Sequence, residues 1–191
     1  MRRSVVLCLF FLPVAVSASD FTPREMNVLL GAGESRMNFH GHSIFRRTIT
    51  FELFGRSVLS ERWLKSNAGA SIAYSDIRQA RSWFGYRYGD PNDNVRAVSS
   101  FFFVRHLFRR AYVEVGTGPM WSNRRVPAAT ARFNMNSQLG LGTTLFARSR
   151  FPLRVGYRFS HISNGGIGGG RNPGLEVHSV LIGTRVHAFG Q

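Results

Sequence analysis

Eight stretches of this chain alternate between apolar and polar residues with a period of two, and this constrains its fold more than any other feature. From Phe133 to Ala147 the odd positions read Phe, Met, Ser, Leu, Leu, Thr, Leu, Ala, and the even positions Asn, Asn, Gln, Gly, Gly, Thr, Phe. Between Ala111 and Trp121, Val113, Val115 and Trp121 oppose Glu114, Gly116 and Gly118. From Leu153 to Ser163, Leu153, Val155, Tyr157 and Phe159 oppose Arg154, Gly156, Arg158 and Ser160. Similar segments start near Asn27, Ser43, Ser66 and Val95, and a last one runs from about Leu175 to Phe189. Successive side chains of a strand point to opposite faces, so each segment predicts a strand with one greasy and one polar side.

Length separates the architectures open to such strands. Strands of soluble proteins typically run to about five or six residues. Strands of about 9–11 residues with alternating faces and flanking aromatics mark outer-membrane barrels. Most of the segments here reach that length, separated by turn-rich connections such as residues 89–94. In lipid every backbone polar group needs a partner, which forces the sheet to close on itself. The pattern predicts an all-β fold, an eight-stranded antiparallel transmembrane β-barrel. Its apolar face meets lipid, and its polar face, arginines included, lines a wet lumen. A secreted sandwich or lipocalin-like barrel would turn the apolar face inward and leave the arginines of the other face outside.

The first residues belong to export rather than to the fold. Arg2 and Arg3 precede an apolar run, Val5 to Val16, and small residues end at Ala18. That order is a secretory signal peptide, and the run is shorter than the ~20 residues of a spanning helix. The predicted organisation is a cleaved signal over residues 1–18 and one barrel domain over 19–191. The one cysteine, Cys8, lies in the signal, which excludes disulfides and thiol chemistry from the mature domain. Removing Arg2 and Arg3 leaves 23 Lys+Arg against 10 Asp+Glu. Such a balance suits an anionic partner such as anionic lipid or lipopolysaccharide. An exported chain without a recognition motif or basic helix argues against nucleic acid.

Chemistry concentrates in the last predicted hairpin. His161 and Ser163 stand two apart on one strand and so share a face. A glycine-rich connection, Gly165 to Gly174, leads to Glu176 on the next strand. A nucleophile, a base and an acid to orient that base can thus meet on one hairpin. By parity His161 and Ser163 lie with Leu153, Val155, Tyr157 and Phe159, and Glu176 lies with Val180, Ile182 and Val186. All three therefore face outward, toward lipid. Polar groups there are costly and call for a function.

These residues carry a family resemblance. His161-Ile-Ser163-Asn164 with the glycines after it, Asn172-Pro-Gly174 and Glu176 resemble the lipid A 3-O-deacylase family (the PagL type). The likeness is sharp from about Gly156 to Gly183 and elsewhere rests on strand pattern, length and signal. It implies an eight-stranded esterase of the Gram-negative outer membrane that removes an ester-linked acyl chain from lipid A in the outer leaflet. Ser163 would be the nucleophile, His161 its general base and Glu176 the orienting acid. The Gly166 N–H and the Asn172 side chain would hold the oxyanion, with Asn164 in support. The run Gly168–Gly170 makes this loop one residue longer than the family pattern. The resemblance implies no cofactor and no metal.

Other readings stay open on the residues alone. An outer-membrane phospholipase would use the same triad, and a non-catalytic structural or adhesive barrel would need none of it. A monomer and a homodimer are equally compatible with the sequence. Arg46, Arg47, Arg78 and Arg81 either bind phosphate, for which guanidinium is suited, or simply line a basic rim or lumen. His40 and His42, and the cluster of Asp90 and Asp93 with their asparagines, read as solvated loop residues rather than metal sites.

Overall fold

The computed structural model describes residues 21–35, 44–57, 66–79, 94–126, 131–166 and 174–190. The signal segment, Gly168–Gly170 and Asn172 lie outside the described residues, as do His40, His42, Arg81, Asp90 and Asp93. Eight strands follow one another: β1 (Phe21–Ser35), β2 (Ile44–Ser57), β3 (Asn67–Gln79), β4 (Asn94–Phe108), β5 (Ala111–Ser122), β6 (Phe133–Leu145), β7 (Leu153–Ser163) and β8 (Leu175–Ala188). Each pairs antiparallel with the next, and β8 pairs with β1 to close the barrel. The predicted fold class is the observed one.

Two strand ends depart from the alternation for local reasons. β1 begins six residues before Asn27. Pro23, which has no N–H for the ladder, lies beside a register shift between Pro23 and Glu25, and this bulge hides the strand from a period-two pattern. β6 stops at Leu145 rather than Ala147 because Phe146 takes a left-handed φ of 50° and turns the chain.

The faces sort as the sequence predicts. Phe102, Ile72, Val180 and Trp121 all stand outward and are 59–71% exposed. An apolar outer wall on all sides is the surface that lipid solvates. Both described chain ends lie at one end of the barrel, with the short β4–β5 turn. β1, β3, β5 and β7 finish at the other end, called here the loop end.

The interior is polar but differs from the expected wet lumen: its charged side chains are packed and buried. Arg105 of β4 and Arg158 of β7 alternate with Glu52 of β2 and Glu114 of β5 in a ring of ion pairs. Arg105 reaches Glu52 at 3.0 Å and Glu114 at 2.6 Å, and Arg158 reaches them at 3.2 and 2.7 Å. The Arg105 guanidinium also lies over the Phe54, Phe103 and Tyr112 rings, 4.5–5.0 Å from their centroids. Two cations balance two anions, so the group can be buried without net charge. Inward-facing glycines give it room: a Cβ at Gly140 would strike the Glu114 side chain, and at Gly142 the Tyr112 ring. Nearer the chain ends, Glu25 pairs with Arg154 and with Arg185. At the loop end the character changes. Ile44, Ile77, Val95, Met120, Ile162, Leu175 and Val177 join in a buried apolar plug.

Removing one member of the ring leaves its partners charged and dry, which costs about 3–5 kcal/mol. Glu114→Ala should therefore lower the urea midpoint of the folded barrel markedly, whereas Glu114→Gln, which keeps two polar contacts, should lower it less. Loss of heat-modifiable gel mobility across a urea series measures both; equal midpoints for wild type and Glu114→Ala would mean the ring is energetically idle.

Candidate functional site

The site lies where β7 ends and β8 begins, at the loop end of the barrel. His161 and Glu176 are direct cross-strand partners, so the ladder itself aligns imidazole and carboxylate. Their Nδ1 and Oε1 atoms are 3.8 Å apart, and the side chains are 42% and 25% exposed. That separation is an ion-pair distance and longer than a hydrogen bond. Ser163, two residues beyond His161, pairs with Met135 of β6 and shares the outer wall. The predicted outward parity of His161, Ser163 and Glu176 is observed.

What fixes these residues lies beneath them and beside them. Ile162, between the two polar residues, points inward with no exposed surface and belongs to the apolar plug, as do Leu175 and Val177 around Glu176. Each outward functional residue is thus flanked by inward anchors. After Ser163, Asn164 is buried, and its Oδ1 accepts the N–H of Gly166 at 2.9 Å. Gly165 and Gly166 both hold positive φ, 62° and 80°, a left-handed pair that side chains disfavour. The Gly166 N–H, expected to serve an oxyanion, is therefore already engaged by Asn164.

Gly174 adds a contact that motif reading does not supply. A Cβ at this position would run into Cε1 of the His161 imidazole. In the sequence the Asn-Pro-Gly stretch has the form of an ordinary turn; only the folded hairpin shows the glycine as a seat for the ring. A second outward polar pair stands one rung toward the chain ends. The Tyr157 hydroxyl bonds His178 Nδ1, and the His178 ring packs on Phe159 at 5.3 Å. Parity alone would have placed both residues outward.

The arginines divide by face. Arg46 is buried in the lumen and bonds Ser75 Oγ through Nε and Nη2 at 3.1 and 3.0 Å, which removes it from any external phosphate site. Arg47 and Arg78 lie on the outer wall.

A closed eight-stranded barrel with an apolar outer wall and Ser, His and Glu together on that wall defines the class: an outer-membrane-type β-barrel whose polar site faces the lipid side. The sequence pattern of the family described as lipid A 3-O-deacylase (PagL) matches residues 49–185, and the chain belongs to that family. Among solved structures it is similar to the outer membrane enzyme PagL, with 16% identity and a TM-score of 0.51 over 82% of this chain and 97% of that one. It is also similar to the Neisserial surface protein A (NspA), with 11% identity and a TM-score of 0.53 over 86% and 97% of the two chains. At these identities both likenesses concern the fold. No curated protein sequence matches the chain.

The seat beneath the imidazole can be tested without any assumption about activity. Gly174→Ala should keep the heat-modifiable mobility of the folded barrel yet push the His161 ring off the strand. Modification of His161 by diethyl pyrocarbonate, quantified on its peptide by mass spectrometry, should then speed up severalfold. An unchanged rate would show that the ring does not rest on Gly174.

Proposed function

We propose that this protein is a serine esterase that hydrolyses the ester-linked 3-O-acyl chain of lipid A in the outer leaflet of a Gram-negative outer membrane. Residues 1–18 would direct its export, and residues 19–191 would form the mature barrel. The observation that carries the reading is the shared outward face of His161, Ser163 and Glu176 on the last hairpin. Family membership supplies the substrate class. A non-catalytic barrel has no use for three such groups on a wall that otherwise meets lipid.

In this reading the chemistry follows from the arrangement. The Ser163 hydroxyl attacks the ester carbonyl carbon while His161 takes its proton. Nδ1 faces Glu176, which leaves Nε2 as the nitrogen for Ser163. Glu176 holds the ring in that tautomer and stabilises the imidazolium. The 3.8 Å gap between His161 and Glu176 has to close with substrate bound, as catalytic hydrogen bonds of empty sites often do. The tetrahedral intermediate collapses, His161 returns the proton to the departing 3-oxygen of the sugar, and the acyl group remains on Ser163. Water then attacks the acyl-enzyme with His161 again as base, and the 3-hydroxy fatty acid leaves.

The oxyanion needs donors already in place. The Gly166 N–H fills that role if it exchanges Asn164 Oδ1 for the substrate oxygen. Asn164 thus holds the donor in position before substrate arrives. The Asn172 side chain is assigned as the second donor on the family resemblance. No step in this sequence calls for a metal or cofactor.

Mass spectrometry of lipid A from cells expressing the protein tests the proposal. Wild type should produce lipid A lighter by one 3-hydroxyacyl group. Ser163→Ala and His161→Ala should abolish that product, with rates lower by about 10⁴-fold or more. Glu176→Gln should slow deacylation by up to about 10⁴-fold, the size expected for an orienting carboxylate. Unchanged lipid A from a folded, inserted wild-type barrel would overturn the assignment; release of fatty acid from phospholipid in the same cells would point to a phospholipase instead.

A further inference from the structure

A groove lies on the outer wall away from the triad, across β8, β1, β2 and β3. Its volume is about 570 Å³, and Leu30, Ile49, Tyr74, Val180 and Ile182 line it along with Arg47. That volume is within the ~300–1,000 Å³ of ligand sites. Ala32 also lines the groove, and its single methyl leaves depth between the larger neighbours. β2 and β3 arrange the lining by polarity. On β2, which runs from the loop end toward the chain ends, Arg47 precedes Ile49; on β3, which runs back, Asp76 and Arg78 follow Tyr74. The charged residues therefore cap the loop end of the groove, and the apolar ones continue toward the middle of the wall.

The cap brings arginines and carboxylates together, with Glu34 of β1 on the rung of Phe45 and Arg78. Arg47 and Asp76 are cross-strand partners, as are Phe45 and Arg78. Asp76 is engaged by Arg78 at 3.6 Å. The Arg47 guanidinium lies over the Phe45 ring, 5.4 Å from its centroid, and Arg47 lines the groove. An arginine at the loop end of an apolar trough complements a lipid with a phosphate at its head and an acyl chain below. An arginine on a lipid-facing wall is stabilised by such an anion.

We propose that this groove binds lipid A, its phosphate against Arg47 and one acyl chain along Leu30, Ile49, Val180 and Ile182. The choice of lipid A over a glycerophospholipid rests on the proposed function, which places the loop end in the leaflet that holds lipid A. The phosphate end of the groove is offset from the scissile ester: Arg47 on β2 stands three strand spacings of about 4.8 Å around the wall from Ser163 on β7, while Val180 and Ile182 lie farther along β8 than Glu176. Arg47 is a binding residue in this assignment and takes no part in the chemistry.

The test uses full-length Ser163→Ala protein folded in detergent, so that bound lipid stays intact, and reads lipid occupancy by native mass spectrometry. Its probes are phosphorylated lipid A, dephosphorylated lipid A and phosphatidylglycerol. Adding Arg47→Gln should weaken binding of phosphorylated lipid A about fivefold, the effect of one arginine at an anionic surface. It should leave dephosphorylated lipid A unchanged. Adding Ala32→Phe instead, which fills the trough, should weaken both. Equal binding of phosphorylated lipid A with and without Arg47 overturns the proposal, and phosphatidylglycerol bound as tightly as lipid A overturns its assignment to that lipid. Should the Arg47→Gln barrel fail to fold, undiminished binding by the Ala32→Phe variant overturns it equally. Because no turnover is read, a wild type that leaves lipid A intact in cells would count against the esterase alone.

Discussion

Closure of the hydrogen-bond ladder is the constraint on which everything else in this molecule depends. Once β8 pairs with β1, every residue of a strand must face either the lumen or the outside, and a shift of one residue would exchange the two sets. The same parity that puts Val180 and Ile182 on the wall puts Glu176 there, and the parity that puts Phe159 outside carries His161 and Ser163 with it. A polar group on the wall of such a barrel is therefore fixed by the backbone, and its cost has to be met by a role or by a partner.

The lumen answers the complementary problem. A small barrel that displays its apolar residues to lipid has few left for a core, and this one builds its interior from opposite charges. The ring of Arg105, Glu52, Arg158 and Glu114 joins β2, β4, β5 and β7; Arg105 and Glu114 are on neighbouring strands, and the other contacts cross the lumen between strands that are not. Its weakness is that it stabilises only when complete. The loop end is built differently: the apolar plug of Ile162, Leu175, Val177 and their neighbours lies behind the hairpin that carries His161, Ser163 and Glu176. Rigid support sits directly behind the residues that must be held in geometry, and the ionic part of the core lies farther away.

The legibility of the sequence divides along the same line. Alternation reveals strand number, facing and the outward triad because those depend on parity, which is local. It fails at β1, where Pro23 and a bulge break the period, and at Phe146, whose backbone turn carries no pattern. The packed lumen was not legible because pairing across the barrel joins residues far apart in the chain; Arg158 and Glu52 are 106 positions apart. Arg46 and Arg47 show the limit well. As adjacent arginines they read alike, yet one bonds Ser75 in the interior and the other caps an external groove. Parity could have separated them, had it been applied to charges as strictly as to apolar residues. Gly174 lies beyond any such rule, because only the fold brings it against the His161 imidazole.

The placement of the polar wall residues then takes on a common sense. His161, Ser163 and Glu176 on β7 and β8 and Asp76 and Arg78 on β3 stand on the loop-end side of the outward apolar residues of their own strands, and Arg47 on β2 stands near that end with Phe45 beyond it. At that boundary a lipid changes from acyl chain to headgroup, so polar side chains lose less there than at mid-wall. Tyr157 and His178 lie deeper and bond each other, which is how a polar pair can remain on the wall below the boundary. An ester linkage lies at the same change of polarity in a lipid. In the proposed reading, a nucleophile that must reach it without leaving the barrel wall is best placed at this height, on a strand end held from behind.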